Sequence, residues 1–454
     1  MTEARIPTKT QNEVVPECET LVQKDIQAES KCVVLWRKFK SRPMSEWVLL
    51  IMSCICSALL MGYVYGIGAL FLEMRDSFGT SRAETSLVQS VTIGITCCGG
   101  FISPLAASVV GIGNMCIIGT CVACCAIVGG SFIYNLSVII ITIGVMGGLG
   151  LCNMFAILFI AVGKTFKDTY NAALSALLVG GGFGYFLFPF LNVFMMQRYG
   201  WRGVFLIHGG LLLNFIPLGM YYRIILKADS SPGKNKKCSD HSYFQSHISL
   251  WKDPVHITFF ICLILRSVPL GLLNYFMLDI AAYKNFDAVT GSLFLSSVGL
   301  GNIVGRVLVL VSRPFIKMDP VKEYSLDVLL AGLTIYCIGL VDTYALMLTF
   351  CFMFGVPYGM LSSTANIAVF SIAGINRYPT ALGIYNTGLG IGFGIAGPIG
   401  GFIKDNVRSY NHILYGFASI CTLSGLCLLV VFIYFSRKKK KVDLTTQSIE
   451  LTFT

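Results

Sequence analysis

The chain has 454 residues, of which 55% are hydrophobic and only 13% charged, and its mean hydropathy is +0.73. Soluble domains have roughly a quarter of their residues charged, so this composition excludes an ordinary soluble protein. The formal net charge is +11.

Twelve apolar stretches follow one another between residues 47 and 435. A helix that spans a bilayer needs about 20 apolar residues, and most of these stretches hold no charge. They are Trp47–Leu72, Ser86–Val110, Met115–Ile133, Val138–Val162, Ala172–Met196, Gly203–Tyr222, Val255–Leu278, Val289–Ser312, Ser325–Val341, Tyr344–Ile375, Tyr378–Ile403 and Ile413–Phe435. The runs are continuous, whereas the strands of a membrane barrel alternate in polarity. The sequence therefore predicts an all-α membrane protein with twelve spans, although the short ninth stretch, which contains Asp327, leaves a count of eleven open.

The basic residues are distributed unevenly between the two predicted sides. With a cytoplasmic N-terminus, 22 Lys and Arg residues lie on inner segments near the membrane and 7 lie on outer loops. This bias predicts cytoplasmic termini, because positively charged segments stay on the cytoplasmic side. The net positive charge is then explained by topology and the lipid surface, without a nucleic-acid partner.

The longest internal connection divides the stretches into two sets of six. We expect an N-terminal tail (1–46), a six-helix bundle (47–223), a basic cytoplasmic loop (224–254), a second bundle (255–435) and a C-terminal tail (436–454). Gly-rich segments recur in the fifth and eleventh stretches, at Gly180–Pro189 and Gly388–Pro398. This organisation resembles the major facilitator superfamily, in which substrate binds between two pseudo-symmetric halves.

Motifs of soluble enzymes are missing or lie in unsuitable places. Gly392, Gly394 and Gly397 spell GxGxxG inside an apolar stretch, where close helix packing explains them. Neither HExxH nor GxSxG occurs, and 14 of the 17 cysteines lie within the stretches. We therefore predict no enzyme activity, no cofactor and no metal site.

Two arginines lie deep in apolar stretches, Arg266 in the seventh and Arg306 in the eighth. A charge at the centre of a membrane helix costs about 2.5–3.5 kcal/mol, so each is a candidate functional residue. No carboxylate is expected at similar depth, since Asp327 is placed near an inner helix end. Two cations without an anion predict a cavity for an organic anion, and the alternative is that each arginine binds helix carbonyls or extends to the membrane surface.

Three segments resemble the monocarboxylate transporter family: RYGWRGVFLIHGGLLLN (Arg198–Asn214), FLEMRDSFGTSRAETS (Phe71–Ser86) and TALGIYNTGLGIGFGIAGPIGGFIKD (Thr380–Asp405). The similarity extends over nearly the whole span region. It implies a plasma-membrane carrier of a monocarboxylate or related organic acid that works by alternating access. Some relatives pair with a single-span ancillary glycoprotein, so the resemblance leaves such a partner open.

The sequence departs from the family at the residues that matter for coupling. The proton-coupled lactate carriers have an Asp and an Arg four residues apart in helix eight, and here the pair is Asn302 and Arg306. Tyr65 aligns with a lysine of helix one, and Asn366 aligns with a phenylalanine that limits substrate size. The resemblance thus implies a substrate site of Arg306, Asn302, Tyr65, Asn366 and Arg266, with room for a larger or more polar acid.

None of the five residues of this predicted substrate site is an obvious carrier of a proton. His208 lies in the interior of a stretch and is the candidate for carrying a proton. We therefore predict a facilitative carrier. A non-transporting nutrient sensor on the same fold is the alternative, which long signalling tails would favour, and the tails here are short.

Overall fold

The computed structural model describes residues 41–99, 102–228, 250–252, 254–313, 318–407 and 409–452. Most of these residues are in helices, and none of them is in a β-strand. The α-helices are α1 (Met44–Gly66), α2 (Phe71–Phe78), α3 (Arg82–Cys98), α4 (Ile102–Val110), α5 (Ile112–Ser131), α6 (Leu136–Ile139), α7 (Gly148–Thr165), α8 (Tyr170–Leu212), α9 (Phe215–Ala228), α10 (Pro254–Tyr283), α11 (Ala288–Ser312), α12 (Pro320–Leu340), α13 (Tyr344–Asn406) and α14 (Tyr410–Thr452). A π-helix, Ile140–Gly147, joins α6 to α7, so that residues 136–165 form one span. The predicted tail up to residue 40 and most of the predicted central loop (229–249) lie outside the described residues.

All twelve predicted stretches fall on helices, so the all-helical prediction is confirmed. In the described part of the chain, nine helices are long and apolar enough to cross a membrane, and they contain ten of the stretches, including the short ninth one. The other two, Ser86–Val110 and Tyr378–Ile403, lie on α3–α4 and on the second part of α13. The second part of α13 is rich in glycine, and α3 packs against α13.

Two glycines turn the chain between consecutive spans inside what is otherwise continuous helix. Gly200 in α8 has φ 63° and ψ 171°, and Gly374 in α13 has φ 72° and ψ 169°. A side chain is strongly disfavoured at such positive φ, whereas glycine adopts it readily. Each long helix therefore contains two spans joined at a sharp bend.

Side-chain caps fix where several helices begin. The Ser81 hydroxyl accepts from the Glu84 backbone N–H at 3.2 Å, and the Glu84 carboxylate accepts from the Ser81 N–H at 3.1 Å. Asp287 caps α11 and Asp319 caps α12, with Pro320 at the first position of α12. These contacts satisfy N–H groups that the first turn of a helix leaves unpaired.

The helices form two bundles, called here the N-half (α1–α9) and the C-half (α10–α14). Within the N-half α8 packs on α1, and a methyl group on Gly184 would lie 1.9 Å from the Ala58 carbonyl oxygen. In the C-half α13 packs on α10 in the same way, because a methyl group on Gly392 would lie 2.9 Å from the Ile264 oxygen. The halves meet mainly where α3 contacts α13 and where α8 contacts α11.

Candidate functional site

Arg306 lies on α11 at the boundary between the two halves. Its Nη1 donates to the carbonyl oxygen of Leu178 on α8, across that boundary. Its Nε is buried without a hydrogen-bond partner, and no carboxylate in the described part of the chain forms an ion pair with it. A cation with a spare donor between the halves is suited to binding an anion.

Three tyrosines from both halves cluster beside Arg306. The hydroxyls of Tyr65 on α1 and Tyr358 on α13 are 3.1 Å apart, and both lie within electrostatic reach of the guanidinium. Tyr65 stacks on Tyr185 of α8 with ring centroids 4.2 Å apart, and the Tyr185 hydroxyl donates to Asn274 of α10. The structure thus places Tyr65, a residue of the predicted site, within electrostatic reach of Arg306, and the same cluster contains Tyr358, Tyr185 and Asn274, which the sequence analysis did not single out. A polar aromatic residue in an apolar stretch was the available signal.

Asn302 and Asn366 lie on the two helices that flank this cluster in the C-half. Asn302 is one turn before Arg306 on α11, is 2% exposed, and its Oδ1 is buried without a partner. Asn366 is half-buried on α13, two turns beyond Tyr358 toward the predicted inner end.

Arg266 lies on α10, and its hydrogen bonds are to other helices of the C-half. It is 3% exposed, its Nε donates to the Tyr324 hydroxyl of α12, and its Nη2 donates to the Tyr385 hydroxyl of α13 at 3.2 Å. Its guanidinium carbon also lies 5.2 Å from the centre of the Tyr324 ring. Protein groups satisfy this cation, so the geometry favours a structural role over direct substrate contact.

The structure places a buried carboxylate in the same half, which the sequence did not lead us to expect. Asp327 on α12 is 2% exposed and accepts from the Thr364 hydroxyl of α13 at 2.9 Å. Its charged neighbours are Glu323, Arg266 and Arg313. A single Asp in an apolar stretch was the signal, and it was discounted because of its position near a helix end.

His208 is buried inside the N-half. It is 2% exposed, its Nε2 lies 2.8 Å from Asn192 Oδ1, and its ring contacts Tyr63 and Phe188. No described carboxylate forms an ion pair with the imidazole. The histidine therefore lies among groups of its own half, and Arg306 is not among its contacts.

An ion-pair network joins the halves at the end of the bundle that the charge bias predicts to be extracellular, called here the outer end. Asp279 of α10, 4% exposed, accepts from Arg82 Nε at 2.6 Å, from Arg75 Nη1 at 3.4 Å and from the Tyr410 hydroxyl. The hydrogen bond to Asp279 raises the pKa of Arg82, so the guanidinium stays charged. A cavity of about 410 Å³ lies among these side chains.

Lys404, which follows the last predicted span residue of α13, completes this network. Its Nζ lies 4.4 Å from the centre of the Tyr410 ring, and partial burial, followed by the charge of Arg82, lowers the pKa of Lys404. Asp405 beside it lies 3.6 Å from Arg82 Nη1.

The ion pairs are asymmetric between the two ends of the bundle. At the opposite, inner end, Arg42 pairs with Asp168 at 3.7 Å within the N-half, and Arg313 pairs with Glu323 within the C-half. Among the described ion pairs, those that link the halves all lie in the outer network. The halves are thus held together at the outer end in this state.

Comparison with known proteins agrees with this architecture. The family model of the Major Facilitator Superfamily matches residues 51–318 and 323–452. The chain therefore belongs to the Major Facilitator Superfamily, a class of membrane transporters built from two six-helix bundles.

Within that superfamily the chain is a divergent relative of the monocarboxylate transporters, which confirms the resemblance found in the sequence. It is 24% identical to monocarboxylate transporter 6 of Homo sapiens over 416 residues, which cover 87% of this chain and 81% of the relative. It is 25% identical to monocarboxylate transporter 3 of Rattus norvegicus over 393 residues, covering 85% and 79%. These relatives indicate a transporter rather than an enzyme.

Proposed function

We propose that this protein carries a monocarboxylate or related organic acid across the plasma membrane by alternating access. The observation that supports this most directly is Arg306, a cation between the halves with an unpaired donor. Its planar fork can bind a carboxylate through two hydrogen bonds. The names of the relatives favour the same substrate class.

The carrier is proposed to be facilitative. Asn302 replaces the aspartate of the lactate carriers and cannot change its charge, and Tyr65 replaces their lysine. The buried carboxylate Asp327 is hydrogen-bonded within the C-half and does not contact Arg306 through any described hydrogen bond or ion pair. Uptake would then follow the substrate gradient.

Substitution of Arg306 tests the proposed function. Uptake of a radiolabelled panel of organic acids by Arg306→Ala is expected to fall at least about a hundredfold, with surface expression unchanged, since binding of the carboxylate is lost. Arg306→Lys should also impair uptake, because an ammonium cannot reproduce the fork. Full transport by Arg306→Ala would contradict the proposal.

The same panel distinguishes a carrier from a sensor. A sensor would bind an organic acid, detected as a rise in the melting temperature of the purified protein, without net uptake into cells or vesicles.

Arg266→Gln is the matched control for Arg306→Ala. Arg266 is an arginine of the same half, and it already donates hydrogen bonds to two tyrosines. We expect this control to reduce stability and surface expression rather than the apparent affinity of the molecules that reach the surface.

A further inference from the structure

Both halves of the molecule build the cavity at the outer end. Helices α2 and α3 of the N-half contribute Arg75 and Arg82, and helices α10, α13 and α14 of the C-half contribute Tyr283, Lys404 and Tyr410. The volume of about 410 Å³ lies within the range of roughly 300–1,000 Å³ that small-molecule sites occupy. Because each half supplies part of the wall, the cavity has this shape only while the outer end is closed.

The charges that line the cavity leave a positive surplus. Three basic side chains line it, against the two acidic residues Asp76 and Asp279. Asp279 is 4% exposed and is shared by Arg75 and Arg82. The Asp76 side chain is 68% exposed, so solvent and salt screen much of its charge. A monovalent anion in the cavity would balance the surplus.

Lys404 experiences this surplus directly. Its Nζ lies 4.6 Å from the centre of the Tyr283 ring and 4.4 Å from the centre of the Tyr410 ring. Partial burial, followed by the charge of Arg82, lowers the pKa of Lys404 although nearby carboxylates act in the opposite direction. The ammonium is therefore less stable here than in water, and an anion beside it would stabilise it.

The two arginines have long contacts that an anion could replace. Arg82 Nη1 lies 3.6 Å from Asp405, which is beyond hydrogen-bond length, and Arg75 Nη1 donates to Asp279 at 3.4 Å. Shorter bonds hold the guanidinium groups in place, at 2.6 Å from Arg82 Nε to Asp279 and 3.0 Å from Arg75 Nε to Asp76. An anion can thus bind the Nη1 groups while these shorter bonds persist.

We propose that this cavity binds a small organic anion from the outer side, with its charged group among Arg75, Arg82 and Lys404. Leu72 and the ring of Tyr283, a residue that is 42% exposed, supply apolar surface for the rest of the ligand. The ligand class is therefore a monovalent anion that carries an aromatic or alkyl group.

Binding at this site would regulate the protein rather than supply its cargo. Arg306 is not among the residues that line the cavity, so the site does not depend on which acid is carried. Opening of the outer end would separate Arg82 of the N-half from Lys404 of the C-half. A ligand that contacts both stabilises the closed outer end and slows transport, because it binds one conformation better than the other.

Thermal stability of the purified protein tests the site without transport. The probe is benzenesulfonate and its control is benzenesulfonamide, which has nearly the same shape and no charge. Both are compared at equal ionic strength set with sodium chloride, because salt alone screens ion pairs. We expect benzenesulfonate to raise the melting temperature with an apparent affinity at least about tenfold above that of the sulfonamide, as for one hydrogen bond between charged groups.

Variants locate the binding site. Lys404→Gln should lose the preference for benzenesulfonate, and Lys404→Arg should keep it because the charge is retained. Arg198→Gln is the matched control, since Arg198 is an exposed cation near the same end of the N-half that does not line the cavity. This control and Arg306→Ala should both bind benzenesulfonate as the wild type does.

The effect on transport provides a second measurement. Benzenesulfonate applied to the outer side should reduce the influx of a radiolabelled organic acid. A saturating concentration of that acid should not restore the rate, because the ligand holds the outer end closed and does not compete for the substrate site. Relief of inhibition by excess substrate would contradict a separate regulatory site.

The remaining outcomes distinguish this inference from the proposed function. Equal stabilisation by the two compounds, or none by either, would overturn the anion site. Loss of binding in Arg306→Ala would overturn it as well, by placing the anion at the centre of the molecule. The wild type and Arg306→Ala decide alone if Lys404→Gln does not fold. Absence of uptake for every organic acid would overturn the proposed function and leave the binding result standing.

Discussion

Arg306 and Arg266 each lie within an apolar helix, but their side chains have different hydrogen-bond partners. Arg266 has two tyrosine partners, and Arg306 has one carbonyl partner and an unpaired Nε. The sequence identified both residues, because a charge in an apolar stretch is visible without a structure. It could not tell them apart, since Tyr324 and Tyr385 are 58 and 119 residues away from Arg266 along the chain.

Single residues also determine how the rate of influx depends on external pH. We expect influx at pH 6 to differ from influx at pH 8 by less than about twofold, because neither Asn302 nor Arg306 changes its charge in that range. Proton symport would instead stimulate influx steeply at pH 6. Initial rates at the two external pH values measure the difference.

Two variants identify the residue responsible if stimulation by acid is observed. His208→Gln removes a histidine buried in the N-half, and Asp327→Asn removes a carboxylate buried in the C-half. Steep stimulation that disappears in either variant would assign proton coupling to that residue. Stimulation that persists in both would contradict the facilitative proposal and require a route outside these residues.

At the scale of helices, the number and approximate bounds of the spans could be predicted from the sequence because the bilayer sets their length. The sharp bends at Gly200 and Gly374 and the pairing of α3 with α13 depend on which helices meet, which local hydropathy does not encode. For the same reason Asp327 was not recognised as buried: its cover comes from α13, whose Thr364 is 37 residues away in sequence.

Near the outer end α3 packs closely against α13, and this contact predicts the effect of substituting Gly401. A methyl group on Gly401 would lie 2.5 Å from the backbone nitrogen of Ala83, a neighbour that cannot move independently. Gly401→Ala should therefore weaken closure of the outer end, with a cost of about 1–3 kcal/mol for overpacking. A cysteine at Ser90, which is fully buried beside Gly397, would then react roughly tenfold faster with an impermeant maleimide applied outside.

Gly416 on α14 is the matched control, because a methyl group there has no neighbour within 4 Å. Ser90→Cys combined with Gly416→Ala should label at the rate of Ser90→Cys alone. Equal labelling of the Gly401 and Gly416 variants would show that this contact does not control opening of the outer end.

For the whole molecule, we propose that both termini face the cytoplasm, in agreement with the 22 inner and 7 outer basic residues. Epitope tags after Thr454 and between Ser231 and Lys237, positions outside the described residues, should be reached by antibody only after the cells are permeabilised. A tag inserted at Gly79, in the turn after α2, should be detected on intact cells. Detection of either of the first two tags on intact cells would reverse the orientation.

Closure at the outer end also makes inhibition depend on the side from which an inhibitor arrives. While Arg75 and Arg82 hold Asp279, Arg306 would be approached from the cytosol. A membrane-impermeant blocker that needs this arginine would then act quickly when loaded into the cell. Applied to the medium, it would act only as fast as the carrier exposes its site outward, so the onset of block would report the rate of reorientation rather than the rate of binding.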